Sequence, residues 1–157
     1  KERGRAVLAL GADMWLLLPG TKRPLKVTPQ QRLLGPAAGG DVARTRFRQD
    51  YAVRACGEDR LDGRPCWRLD LEARSAALSA RTIQLWVERD TTAPLRAEFF
   101  MASGKRARVA TFGPPTTAHG QPVLSWMELE EASGAKVTLR FGPWTKGPVD
   151  PERFDLP

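Results

Sequence analysis

Residues 51–73, YAVRACGEDRLDGRPCWRLDLEA, read as two strands, 51–57 and 64–73, around a tight turn. In the first arm Tyr51, Val53 and Ala55 alternate with Arg54 and Cys56; in the second, Trp67, Leu69 and Leu71 alternate with Cys66, Arg68 and Asp70. Asp62-Gly63 between the arms is a strong hairpin signal, because such a pair accepts the positive φ angles of a two-residue turn. Alternation with a period of two describes a sheet that buries one face and leaves the other in water.

The same texture extends outward on both sides. Toward the C-terminus, strands are expected at 81–89, 94–101, 105–112, 122–130 and 136–141, with turns at Asp90–Pro94 and Ser103-Gly104. Toward the N-terminus, Val7–Leu10, Met14–Leu18 and Arg23–Val27 read as three short strands. Two helices interrupt the pattern. Thr28 precedes Pro29, Gln31, Leu33 and Leu34, with Gly35 at the end, and Asp41 precedes Val42 to about Arg48. The expected fold is mainly β: about ten antiparallel strands curled into a half-barrel, because strand twist accumulates and open edges are a liability. The short helices would lid its concave face, burying Leu33, Leu34, Val42 and Phe47.

Composition sets the limits. At 157 residues, one domain spanning 1–157 is expected, and 41% hydrophobic with 27% charged residues and a mean hydropathy of −0.40 suits a soluble globular chain. The longest apolar run, Met14–Leu18, is far short of the roughly 20 residues of a spanning helix. Neither Met nor a signal-type apolar segment opens the chain at Lys1, so a secretory signal has been removed or was never included. The net charge of +7 is concentrated in residues 1–60, which hold 12 basic and 6 acidic side chains. Arg44, Arg46 and Arg48 form the one dense basic cluster, leaving polyanion binding as one functional class. Nucleic acid is not an expected partner, since neither an aromatic RNP pattern nor a GXXG loop is present.

Cys56 and Cys66 flank the Asp62-Gly63 turn. Strand alternation places both on the polar face, where a cross-strand bridge or two free thiols slightly out of register are both open readings. A zinc site is not expected, because two Cys at this spacing and one distant His do not make four ligands.

Catalytic patterns are missing too. His119, the single histidine, sits in the Gly/Pro-rich stretch 113–120, which reads as a solvated loop. Gly104-Lys105 lacks the rest of a phosphate loop, and Glu128 and Glu130 share the outer face of one strand. No enzymatic activity, metal or cofactor is expected.

What stands out is the supply of large apolar side chains, five Trp, six Phe and three Met with many Leu, in a chain of short strands with only two small helices to cover the sheet. A curled sheet with a loosely covered face makes a cavity for an apolar ligand. The inward set expected to line it is Leu17, Leu69, Leu71, Leu85, Val87, Phe99, Met101, Met127 and Leu129, with Leu33, Leu34, Val42 and Phe47 as lid contacts. For 122–130, Leu124 and Trp126 compete with Met127 and Leu129 for the inner face, and a bulge would switch them.

Five stretches, in this order, carry a family resemblance. They are Met14–Pro19 with Arg23-Pro24; Thr28–Gly35; Gly40–Thr45 leading into Asp50-Tyr51; Asp62–Leu69; and Leu85–Arg89 with Pro94–Phe99. Together they resemble the bacterial outer-membrane lipoprotein-sorting proteins of the LolA-like superfamily, over Lys1 to about Phe154. The resemblance implies a periplasmic, non-catalytic carrier that binds lipoprotein acyl chains or another lipid. A sensor on the same fold is the alternative, and an inner-membrane exporter or regulator is the implied partner. It also implies a helix and further strands ahead of Lys1. Without them an exposed edge strand would favour homo-oligomers. Cys66 falls on the family pattern and Cys56 does not, so a disulfide would be particular to this chain.

Overall fold

The structure, a computed structural model, describes residues 6–10, 13–21, 23–34, 42 and 45–151, without the side chains of 30, 33 and 34. Its elements are β1 (Ala6–Leu10), β2 (Asp13–Leu17), β3 (Leu25–Lys26), α1 (Pro29–Leu34), α2 (Phe47–Asp50), β4 (Tyr51–Leu61) and β5 (Arg64–Ala73). There follow β6 (Thr82–Glu88), β7 (Pro94–Phe100), β8 (Arg106–Phe112), β9 (Pro115–Ala118), β10 (Gln121–Leu124), β11 (Trp126–Glu131) and β12 (Lys136–Arg140). The main sheet runs β12-β11-β8-β7-β6-β5-β4. β1-β2-β3 and β9-β10 form two smaller sheets, and every pairing is antiparallel. The result is an open, mainly β half-barrel.

Register explains which face is buried. Leu71 opposes Ile83, Leu69 opposes Leu85 and Trp67 opposes Val87, while Ala97 opposes Ala110 and Leu129 lies beside both Ala110 and Val137. Ile83, Leu85, Phe99, Met127 and Leu129 are nearly sealed from solvent and form the core of this inner face. On the outer face charges pair along and across strands. Glu72 meets Arg54 and Arg81 (both 2.6 Å), Glu98 meets Arg96 (2.6 Å) and Arg106 (3.2 Å), and Lys136 lies 3.2 Å from Glu128 and Glu130. Such exposed pairs are typically worth about 0–1 kcal/mol each, so stability rests on the inner face.

α1 begins as its sequence requires. Gln31 N–H donates to Thr28 Oγ1 (3.3 Å) and Thr28 N–H donates to Gln31 Oε1 (2.9 Å), a reciprocal cap with Pro29 in the first helical position. The helix packs against β8, and buried Arg32 donates through Nη2 to the Ala77 carbonyl (3.0 Å) between β5 and β6. Val42 is helical as expected, but residues 45 and 46 are not, so a single helix does not run through to Arg48; α2 starts anew at Phe47, where Asp50 Oδ2 accepts from Arg46 N–H (3.1 Å). Residues 43 and 44 lie outside the described residues.

Three strand expectations change. β4 continues to Leu61, up to the Asp62-Gly63 turn, whose φ values of 50° and 80° are those of a tight hairpin. The stretch read as a loop around His119 contains β9, and 122–130 is two strands broken at Ser125. The cause is a kink: Ser125 Oγ donates to the Pro114 carbonyl (2.6 Å), and β9-β10 leave the β8–β11 pair as a separate hairpin. Beyond the break Met127 and Leu129 face inward.

Of the two readings open for Cys56 and Cys66, the structure has the free thiols; what it corrects is their placement on one face. Arg54 is an extra residue between Val53, opposite Leu71, and Ala55, opposite Asp70. This bulge shifts the phase of β4, so Cys56 opposes inner-face Leu69 while Cys66 opposes Asp59 on the outer face. The thiols point to opposite sides of the hairpin. Among the described residues β4 is the last strand of the main sheet, and the same bulge, with charged Glu58, Asp59 and Arg60, blunts that edge.

Candidate functional site: an apolar cavity at one end of the sheet

A cavity of about 580 Å³, open to solvent, lies where four parts of the chain converge. Phe112 and Met127, paired across β8 and β11, belong to the main sheet. Val42, Thr45 and Phe47 come from the α2 region, Thr91–Pro94 from the β6–β7 turn, and Pro115, Pro122, Val123 and Leu124 from the β9-β10 hairpin. Gly113 completes the lining.

Local sequence positions each wall. Gly113 N–H donates to the Trp126 carbonyl (2.9 Å), the last link before the hairpin departs. Its φ is unremarkable, but a Cβ at this position would sit inside the Trp126 indole. The hairpin turns at His119-Gly120 with positive φ at both residues, and His119 Nε2 lies 3.1 Å from the Trp144 carbonyl. In the β6–β7 turn Glu88 N–H donates to the Ala93 carbonyl (2.9 Å) and Thr92 N–H to the Glu88 carbonyl (3.1 Å). Thr91 Oγ1 donates to Glu88 Oε2 (2.5 Å), and Thr92, at φ 57°, donates through Oγ1 to the Thr91 carbonyl (2.7 Å).

The chemistry of the lining is plain. None of its residues is charged, and its polar side chains are three threonines. Among the described residues no cluster of His, Cys, Asp and Glu is placed to hold a metal ion. Perturbed groups lie elsewhere: the Trp86 indole N–H (2.8 Å) and the Arg60 backbone N–H hold Asp59 below the usual carboxylate range, and Arg54 does the same for Glu72. Burial pushes the Cys66 thiol up.

Of the residues expected to line a cavity, Met127 does so, together with lid residues Val42 and Phe47. Leu71, Leu85, Val87, Phe99 and Leu129 lie on the same inner face but pack against one another, with Leu69 and Met101 at their margin. They fill the hollow rather than line it. Leu17 lies half-buried in the separate β1-β2-β3 sheet. The side chains of Leu33 and Leu34 are outside the described residues. Sequence reading missed Phe112 and the threonines, and set Leu124 against Met127 as alternatives where both line the hollow; the Gly113–Pro115 break and Pro122, which detach the hairpin, were the available signal. In the basic cluster, Arg46 is engaged by Asp50 (3.1 Å), Arg48 is exposed on α2, and Arg44 is outside the described residues.

Comparison with known proteins places this geometry. No curated protein matches the chain. The structure is similar to that of a LolA superfamily protein from Nitrosomonas europaea, with a TM-score of 0.79 and 26% identity, covering 98% of this chain and 71% of that one. A domain from Vibrio parahaemolyticus described as an outer membrane lipoprotein-sorting protein aligns with a TM-score of 0.65 at 19% identity, over 82% of this chain and 57% of that one. A DUF1329 family protein from Desulfovibrio piger aligns with a TM-score of 0.62 at 19% identity, over 80% and 55%. This chain thus spans little more than half the length of the last two. A family model described as "-like: Uncharacterized protein" matches residues 1–154. The fold is LolA-like, and the chain belongs to the family that this model describes.

Proposed function

We propose that this protein is a non-catalytic carrier that shields a lipid or lipoprotein acyl chain in the cavity beneath α2 and the β9-β10 hairpin. One observation carries the reading: an open hollow whose lining contains no charged side chain. Its size sets the load. A methylene is close to a water in bulk, about 30 Å³, so 580 Å³ holds roughly 20 methylenes, one long chain rather than several. Each methylene withdrawn from water contributes about 0.8 kcal/mol. The LolA-like fold supports the same reading, with the periplasm as the place of work and a membrane-bound donor or acceptor as the partner.

The test is titration with an apolar fluorescent probe such as N-phenyl-1-naphthylamine. Wild type is expected to bind one probe, displaced by long-chain lipids. Leu124→Glu, which puts a carboxylate into the half-buried lining, is expected to weaken binding at least tenfold without unfolding the sheet. Absence of binding by folded wild type would refute the proposal.

A further inference from the structure

We infer that the cavity selects an acyl chain ending in an uncharged hydrogen-bond donor, a hydroxyl or an amide N–H, and that Thr92 reads that end. The inference rests on the acyl-binding reading above and adds the class of head group.

Three observations carry it. First, polarity in the lining is confined to hydroxyls, two of them in the Thr91-Thr92 turn. Second, the hydroxyl protons of that turn are committed: Thr91 Oγ1–H to Glu88 Oε2 and Thr92 Oγ1–H to the Thr91 carbonyl. What Thr92 offers a ligand is therefore the lone pairs of its oxygen, which accept and do not donate. Third, the charge of this turn opposes an anion beside Thr92. Glu88 is drawn against the turn and Asp90 is next to it, whereas the intervening Arg89 is occupied by Glu58 and lies over the Trp67 ring, 5.0 Å from its centroid. A carboxylate or phosphate at this mouth would meet acceptors and negative charge.

The backbone points to the same residue. Thr92 has a φ of 57°, a left-handed conformation that a β-branched side chain rarely adopts. Glycine or asparagine would hold the turn with less strain. Strain of this kind gathers at sites where a side chain must be presented, and exposed Thr92 is presented at the cavity mouth.

The experiment is displacement of N-phenyl-1-naphthylamine by 1-monopalmitoylglycerol and by palmitate, at about pH 8 where the acid is ionised, with wild type, Thr92→Val and Thr92→Ser. Wild type is expected to prefer the glyceride. Thr92→Val keeps the shape and removes the acceptor, so glyceride affinity should fall about fivefold, the value of one hydrogen bond. The loss is read as the ratio of glyceride to palmitate affinity within each variant, which cancels any change in probe binding, and Thr92→Ser should restore that ratio. Equal competition by both lipids, or an unchanged glyceride affinity in Thr92→Val, would overturn the inference while leaving acyl binding intact. So would a palmitate preference abolished by Arg48→Ala, which would place the head group beside α2. Failure of the probe to bind folded wild type would overturn both proposals.

Discussion

The indole of Trp126 lies so close over Gly113 that no side chain fits between them. The contact sits where β8 and β11 stop pairing and the β9-β10 hairpin swings away, so it sets the angle of one cavity wall. A methyl here must displace the ring. Gly113→Ala is expected to cost about 1–3 kcal/mol, as overpacking does, and to weaken probe binding. Urea unfolding and probe titration measure the two effects; an unchanged midpoint would mean the indole moves freely.

Packed core and open cavity separate by mutation. Phe99, 2% exposed, sits among Ile83, Leu85 and Ala97 and does not line the hollow. Phe99→Ala should therefore cost about 3–5 kcal/mol of stability yet leave probe affinity near wild type wherever the protein remains folded. A variant with wild-type stability and no probe binding would put the ligand on the inner face instead.

The thiols should behave as strangers. Cys56 is exposed and Cys66 is buried, with its thiol pushed up by burial and by Asp59. A maleimide should modify Cys56 in minutes and Cys66 only on unfolding. Peptide mass mapping after mild oxidation should find no Cys56–Cys66 link; recovering that link would contradict the register of β4.

Acid sensitivity follows from the outer-face carboxylates. Glu72 is held below its usual 4.5, first by the Arg54 hydrogen bond, and Asp59 below its usual 3.8, first by the Trp86 N–H. With folded values lowered, their stabilisation is complete above those usual values and is lost as pH falls through the folded ones. Thermal midpoints of wild type should thus drop below about pH 4.5, and Glu72→Gln should flatten part of that slope. Identical pH profiles would remove Glu72 from the account.

The half-barrel was legible because alternation and turn chemistry act locally. Asp62-Gly63 fixes one hairpin, and Ile83, Leu85 and Val87 fix the buried face of β6 whatever happens elsewhere. The cavity was less legible, since lining a hollow and filling it call for the same apolar residues. Leu85 and Phe99 could be assigned to the inner face, but whether they touch a ligand or each other depends on packing across five strands. The thiols were misplaced for a different reason. One extra residue, Arg54, reverses the phase of everything after it in β4, and nothing in its own side chain announces a bulge. Thr92 was read only as part of a turn, because its significance lies in a backbone angle.

The central claim is that the hollow lined by Phe112, Leu124 and Met127 carries one acyl chain. Native mass spectrometry of the protein as purified, followed by organic extraction and lipid analysis, tests it most directly. The account predicts a bound population heavier by a single acylated species, which Leu124→Glu abolishes. A uniformly ligand-free wild type that also fails to take up an added long-chain lipid would contradict it.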